Sequence, residues 1–213
     1  MKRILVKLIS MTLVIAILVG VTMPMASSAT LISPFSDVST TAVSFNAIWW
    51  ANHTGLVTGN NGMFLPGDNM TRAQYALVLY RYEGNPAVGS GGMFADVDPG
   101  SVAFNAITWA NENNIVTGSG GNFLPTNHMT RAQMVLMMHR YSTFLGKDTS
   151  SNPDALAPFT DSGQISNVAH EAMRWAVTHG IMTGGNNILN PNGNITRAQV
   201  VLILHRYANG IGA

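Results

Sequence analysis

The stretch Thr71-Arg72-Ala73-Gln74-Tyr75-Ala76-Leu77-Val78-Leu79-Tyr80-Arg81-Tyr82 decides the fold, because it recurs with few changes at Thr130–Tyr141 and at Thr196–Tyr207. Thr followed three residues later by Gln is a capping box, in which each side chain satisfies a backbone N–H that a helix start leaves free. The residues after it are apolar nearly all the way round, which predicts helices buried on most sides. Three such helices are expected to pack against one another at the centre.

Outward from these helices the repetition continues. One constant shift aligns Phe35 with Phe94, Asp37 with Asp96, Trp50 with Trp109, Thr58-Gly59 with Thr117-Gly118, Phe64 with Phe123 and Pro66 with Pro125. Phe159, Asp161, Trp175, Thr183-Gly184 and Pro191 mark a third copy. Gly-, Pro- and Ser-containing joints at Glu83–Gly92 and Ser142–Pro158 read as linkers. A first helix is predicted in each copy from a stripe at helical spacing: Val43, Ala47, Trp50, Ala51, then Val102, Ala106, Trp109, Ala110, then Val168, Ala172, Trp175, Ala176. Gly55, Asn114 and Gly180, five residues after each Trp, tolerate the left-handed turn that ends a helix. The expected organisation is a leader at 1–29 followed by repeats at 30–86, 87–145 and 146–213.

The leader has a basic start (Lys2, Arg3, Lys7), an apolar stretch from Leu8 to about Val21, and small residues at Ala26–Ala29. That is the pattern of a secretory signal peptide cut after Ala29. Its removal leaves eight basic against ten acidic residues, so the mature chain is slightly acidic. Only 10% of the chain is charged, and no basic stripe suited to nucleic acid is present. With no cysteine, disulfides and thiolate metal sites are excluded and stability rests on packing.

Arg72, Arg131 and Arg197 stand at the first helical position, where the helix dipole disfavours a cation and capping does not require one. Two readings are open. Each guanidinium bonds carbonyls of a neighbouring repeat, or it joins the free N–H groups of the helix start in holding an anion. Arg81, Arg140 and Arg206, at the opposite helix end, read as structural. Asp37, Asp96 and Asp161 read as caps of the first helices. Gly59, Gly118 and Gly184 either turn the chain or let a ligand approach the backbone.

An enzyme reading fares badly. No HExxH, GxSxG or P-loop pattern occurs, and His139 and His205 lie inside apolar helices. One acid repeated three times is not an acid/base pair. Carboxylates are too few for an EF-hand calcium loop, and neither metal nor cofactor is expected.

Phe-x-Asp-Val at Phe35–Val38 and Phe94–Val97, then Trp-Ala, a Gly-rich loop, Phe-x-Pro and Thr-Arg-Ala-Gln resemble the S-layer homology domain, in three tandem units. The resemblance implies an all-α, pseudo-threefold arrangement of three two-helix repeats, with a central three-helix bundle and three loop-bearing prongs. It implies a secreted, non-catalytic cell-wall anchor. Grooves between its prongs bind an anionic, commonly pyruvylated, secondary cell-wall polysaccharide on Gram-positive envelopes. The family's groove arginine corresponds to Arg72, Arg131 and Arg197, and Gly59, Gly118 and Gly184 would border the sugar. After signal cleavage no membrane partner is expected. A structural role through contacts with other envelope proteins is the alternative. Gln replaces the commoner Glu of the motif in every copy. The third copy reads Phe159-Thr160-Asp161-Ser162 and has Leu189 where the others have Phe64 and Phe123, which points to an altered or silent groove there. In the family such an anchor usually carries a lattice region or an extracellular enzyme; here the sequence ends at Ala213.

Overall fold

A computed structural model describes residues 32–89 and 94–210. The leader therefore lies outside the described residues, and no described helix is long and apolar enough to cross a membrane. Six α-helices run in the order α1 (Phe45–His53), α2 (Arg72–Tyr82), α3 (Phe104–Glu112), α4 (Arg131–Phe144), α5 (Asn167–Thr178) and α6 (Arg197–Gly210), with a short 3₁₀ turn at Ser162–Gln164. No strand is formed among the described residues, and the fold is all-α.

The sequence signals act where they stand. Thr71 Oγ1 accepts from the Gln74 N–H at 3.2 Å while Gln74 Oε1 accepts from the Thr71 N–H at 2.9 Å. Thr130–Gln133 and Thr196–Gln199 repeat this box. The first helices end in a left-handed residue at Gly55 (φ 75°), Asn114 (φ 57°) and Gly180 (φ 66°). There the Leu56, Ile115 and Ile181 N–H groups reach back to Ala51, Ala110 and Ala176, each at 2.8 Å, which recovers carbonyls the helix end would orphan.

Two expectations need correction. Val43, Val102 and Val168 do not begin a core stripe: they are 89%, 87% and 64% exposed. Val43 and Val102 precede their helices, and the face of α1 that turns inward is Phe45, Ala47, Ile48 and Ala51. The aspartates do not cap the first helices either, since α1 and α3 begin at Ser44 and Ala103 without a side-chain cap. Asp37 instead accepts the Phe64 and Leu65 N–H groups at 2.7 Å each. Asp96 does the same for Phe123 and Leu124, and Asp161 for Leu189 and Asn190. These pairs hold a kink in which Leu65, Leu124 and Asn190 have φ of 59°, 62° and 52°, a conformation that costs a leucine roughly 1–2 kcal/mol.

Packing is cyclic. Each second helix packs on the first helix of the following unit, α2 on α3 and α4 on α5, and α6 returns to α1. The centre is tied at two levels. Near the helix starts the Met70 N–H bonds Ile195 O, the Ile195 N–H bonds Met129 O and the Met129 N–H bonds Met70 O, each at 2.9 Å, a closed triangle of main chain. At the other end the rings of Tyr82, Tyr141 and Tyr207 meet pairwise at 6.2–6.3 Å. One apolar core runs through all three units, so no unit buries its helices alone.

Candidate functional site

Each arginine of the TRAQ motif reaches into the next unit. Arg72 Nε donates to Phe123 O at 2.8 Å, and its guanidinium carbon lies 4.7 Å above the centre of the Phe123 ring. Arg197 does the same with Phe64, at 2.8 Å and 4.8 Å, and adds Nη2 to Thr58 O at 3.1 Å. Arg131 donates Nε to Leu189 O at 2.6 Å, but a leucine offers no ring; its Nη2 meets Met182 Sδ at 2.8 Å instead. The Leu189 departure noted in the third copy thus alters the groove of Arg131, an arginine of the second.

Each helix start is itself closed. The Arg72 and Ala73 N–H groups bond Asn127 O and Pro125 O at 3.0 Å each. Arg131 and Ala132 bond Gly193 O and Pro191 O, and Arg197 and Ala198 bond Asp68 O and Pro66 O. The free N–H groups expected there do not exist, because the loop around Pro125, Pro191 or Pro66 in the following unit consumes them. An anion there would find no free helix-start N–H group to join the guanidinium.

Electrostatics follow the same cross-unit pairing. Burial lowers the pKa of Arg72, Arg131 and Arg197 from the usual arginine value, and Asp96, Asp161 and Asp37 respectively oppose it, with Asp68 a further and larger influence on Arg197. All three stay charged, as arginine does in any protein. Desolvation pushes each aspartate up, but the two N–H bonds from its own loop and the nearby arginine outweigh it, leaving the carboxyl below 3.8.

The structure brings each expected arginine together with an expected glycine from the following unit. Arg72 and Gly118 line a cavity of about 570 Å³ with Phe123, Gln133, Arg140 and Val168, so all three units build it. Arg197 and Gly59 line one of about 330 Å³. Arg131 and Gly184 line the smallest, about 190 Å³. The glycines have a packing reason as well. A Cβ on Gly59, Gly118 or Gly184 would run into the ring of Phe35, Phe94 or Phe159 and a carbonyl of its own loop. Among the described residues no three His, Asp or Glu side chains converge as a metal site would require.

The rings under Arg72 and Arg197 escaped the sequence reading, although Phe64 and Phe123 were visible as repeated positions. Nothing in one chain says which unit's arginine a ring will meet.

A family model, the S-layer homology domain, matches residues 34–76, 94–135 and 158–201. The chain belongs to the S-layer homology family. An endoglucanase of Bacillus sp. (strain KSM-635) is 33% identical over 204 residues, 92% of this chain and 21% of that protein. The S-layer protein sap of Bacillus anthracis is 27% identical over 196 residues, 91% and 23% respectively. The surface-layer 125 kDa protein of Lysinibacillus sphaericus is 26% identical over 204 residues, 93% and 16%. The chain spans less than a quarter of each of these relatives. Three S-layer homology units make it a cell-wall anchoring module, associated with the cell surface.

Proposed function

We propose that the chain is a secreted, non-catalytic anchor that holds an anionic secondary cell-wall polysaccharide, of the pyruvylated type, in the grooves of Arg72, Arg131 and Arg197. Export would remove residues 1–29, and the three units would comprise 30–86, 87–145 and 146–213. The observation that carries this reading is the half-buried guanidinium of Arg72. Its Nε is fixed by Phe123 O, its guanidinium carbon lies over the Phe123 ring, and its Nη groups bond nothing among the described residues. A planar donor held in place and partly dehydrated is suited to a carboxylate, and charge-assisted bonds of this kind are the strong ones. Gly59, Gly118 and Gly184 would let the sugar approach the loops. Three grooves on a polymer-rich wall would add avidity.

A second reading has its own support. Every Nε is spent on a carbonyl of another unit, as a purely structural or assembly role would have it. The two separate in one experiment. Arg72, Arg131 and Arg197 are changed together to Gln, the variant is checked for helical content and a cooperative melt, and co-sedimentation with purified cell walls is measured at a temperature where it is folded. Anchoring through the arginines predicts loss of sedimentation. Undiminished sedimentation of the folded variant would leave the structural reading in possession.

A further inference from the structure

Two of the three first helices are covered by the chain's own connecting segments. After α2 the chain runs over α3: Pro86 O accepts from the Tyr80 hydroxyl at 2.7 Å, Val88 packs on the core, and the Gly89 N–H reaches the Glu112 carboxylate at 3.1 Å. After α4 it runs over α5: Asp148 O accepts from Trp175 Nε1 at 3.2 Å, and the Asn152 N–H donates to Thr178 Oγ1 at 2.9 Å. Glu112 and Thr178 hold one position, three residues past Trp109 and Trp175. In both units that position accepts an N–H of the strap, and the tryptophan is sealed, 2% and 0% exposed.

The seam between α6 and α1 is built alike but left uncovered. His205 meets Trp50 at 5.1 Å, as Tyr80 meets Trp109 at 5.7 Å and His139 meets Trp175 at 5.2 Å. Yet Trp50 is only half-buried, and its Nε1 bonds nothing among the described residues. His53, three residues on, accepts no hydrogen bond among them and stacks on Trp49, which is 43% exposed.

The route of the chain says what fits there. Each strap is the polypeptide that runs on from a second helix onto the first helix packed against it. α6 packs on α1, so polypeptide running on from α6 is delivered to this face. α6 ends three residues past Tyr207, as α4 ends three past Tyr141, and Ile211-Gly212 falls in register with Leu145-Gly146, where the second strap begins. In that register Asp148 and Asn152 correspond to the first and fifth positions past Ala213.

We propose that the outer face of α1, at Trp49, Trp50 and His53, is the seat of a third strap, formed by polypeptide joined to α6 through Ile211–Ala213. Its main chain gives a carbonyl to Trp50 Nε1 and an N–H to His53. The junction between the third unit and any polypeptide attached to it is thereby pinned to the first unit, whatever the grooves bind.

The test extends the full chain past Ala213 with a copy of the sequence Asp148–Leu156, which preserves the register. Trp109 and Trp175 are sealed, so acrylamide reaches only Trp49 and Trp50 of the four tryptophans. The extension lowers quenching about twofold, because one of two reachable indoles is covered. It raises the melting temperature by about 2 °C or more, as added bonded contacts do in a chain of this size. His53→Leu, which accepts nothing, abolishes both effects, and His53→Thr, with the third unit's residue type, retains them. A scrambled extension has neither effect. Unchanged quenching in the extended chain overturns the proposal, as does equal shielding by the scrambled copy or by the His53→Leu variant. Shielding of the unextended chain by rising protein concentration, or by purified wall polysaccharide, overturns it too, since a second copy or a glycan is then the occupant.

Discussion

Arg72 donates through Nε to the carbonyl oxygen of Phe123, 51 residues away, and lays its guanidinium over the same residue's ring. One phenylalanine thus holds an arginine from another unit through both its carbonyl and its ring. The contact joins two units, and the remaining N–H groups, unbonded among the described residues, belong to a side chain that lines a groove.

The three arginines should not contribute equally. Arg131 has its Nη2 on the Met182 sulfur, no ring beneath it and the smallest cavity. In titrations with a soluble monovalent glycan, Arg72→Gln is expected to weaken binding about tenfold or more, the worth of one or more charge-assisted bonds. Arg131→Gln changes it by less than about twofold. Similar losses at both positions would contradict this ordering.

Gly118→Ala combines a left-handed backbone (φ 62°) with a collision against the Phe94 ring and Asn122 O. Strain of about 1–2 kcal/mol and overpacking of about 1–3 kcal/mol should together exceed about 2 kcal/mol in urea unfolding. Gly67→Ala, with open space and no left-handed backbone, is the control and should be close to neutral.

Stability should fall in acid for a nameable reason. Asp37, Asp96 and Asp161 have folded pKa values below 3.8, so the folded state binds fewer protons than the unfolded chain. Their contribution is therefore complete above about pH 4–5 and is lost as pH falls through the folded values. The triple Asp→Asn variant is expected to melt lower at pH 7 and to show a shallower decline between pH 5 and pH 3. A parallel decline in both proteins would assign acid sensitivity elsewhere.

Tyr75 is fully buried, and its hydroxyl has no partner among the described residues. An unpaired buried hydroxyl costs about 1–3 kcal/mol. Tyr75→Phe should raise the melting temperature or leave it unchanged, which differential scanning calorimetry would reveal. A clear fall would mean that the hydroxyl is bonded in solution.

Much of this was legible in one chain. TRAQ followed by an apolar run specified three capped, buried helices, because a capping box is closed by residues three apart and needs no help from the fold. Gly55, Asn114 and Gly180 likewise announced helix ends, since a left-handed turn is a local demand. Asp37 was misread for the same reason. A short acidic residue before a helix satisfies every local rule for a cap, yet its partners, the Phe64 and Leu65 N–H groups, lie 27 and 28 residues on.

The repeated residues therefore determined which helices form, where they start and stop, and how many units there are. Only the tertiary structure decided which unit meets which. Arg72 is seated by Phe123, Arg131 by Leu189 and Arg197 by Phe64, and Arg140, unlike Arg81 and Arg206, makes no hydrogen bond among the described residues. The reason is physical. Hydrogen bonds within one helical turn are written into neighbouring residues. The cyclic packing that aligns three near-identical units is decided by apolar burial, which has no direction of its own until the whole chain closes.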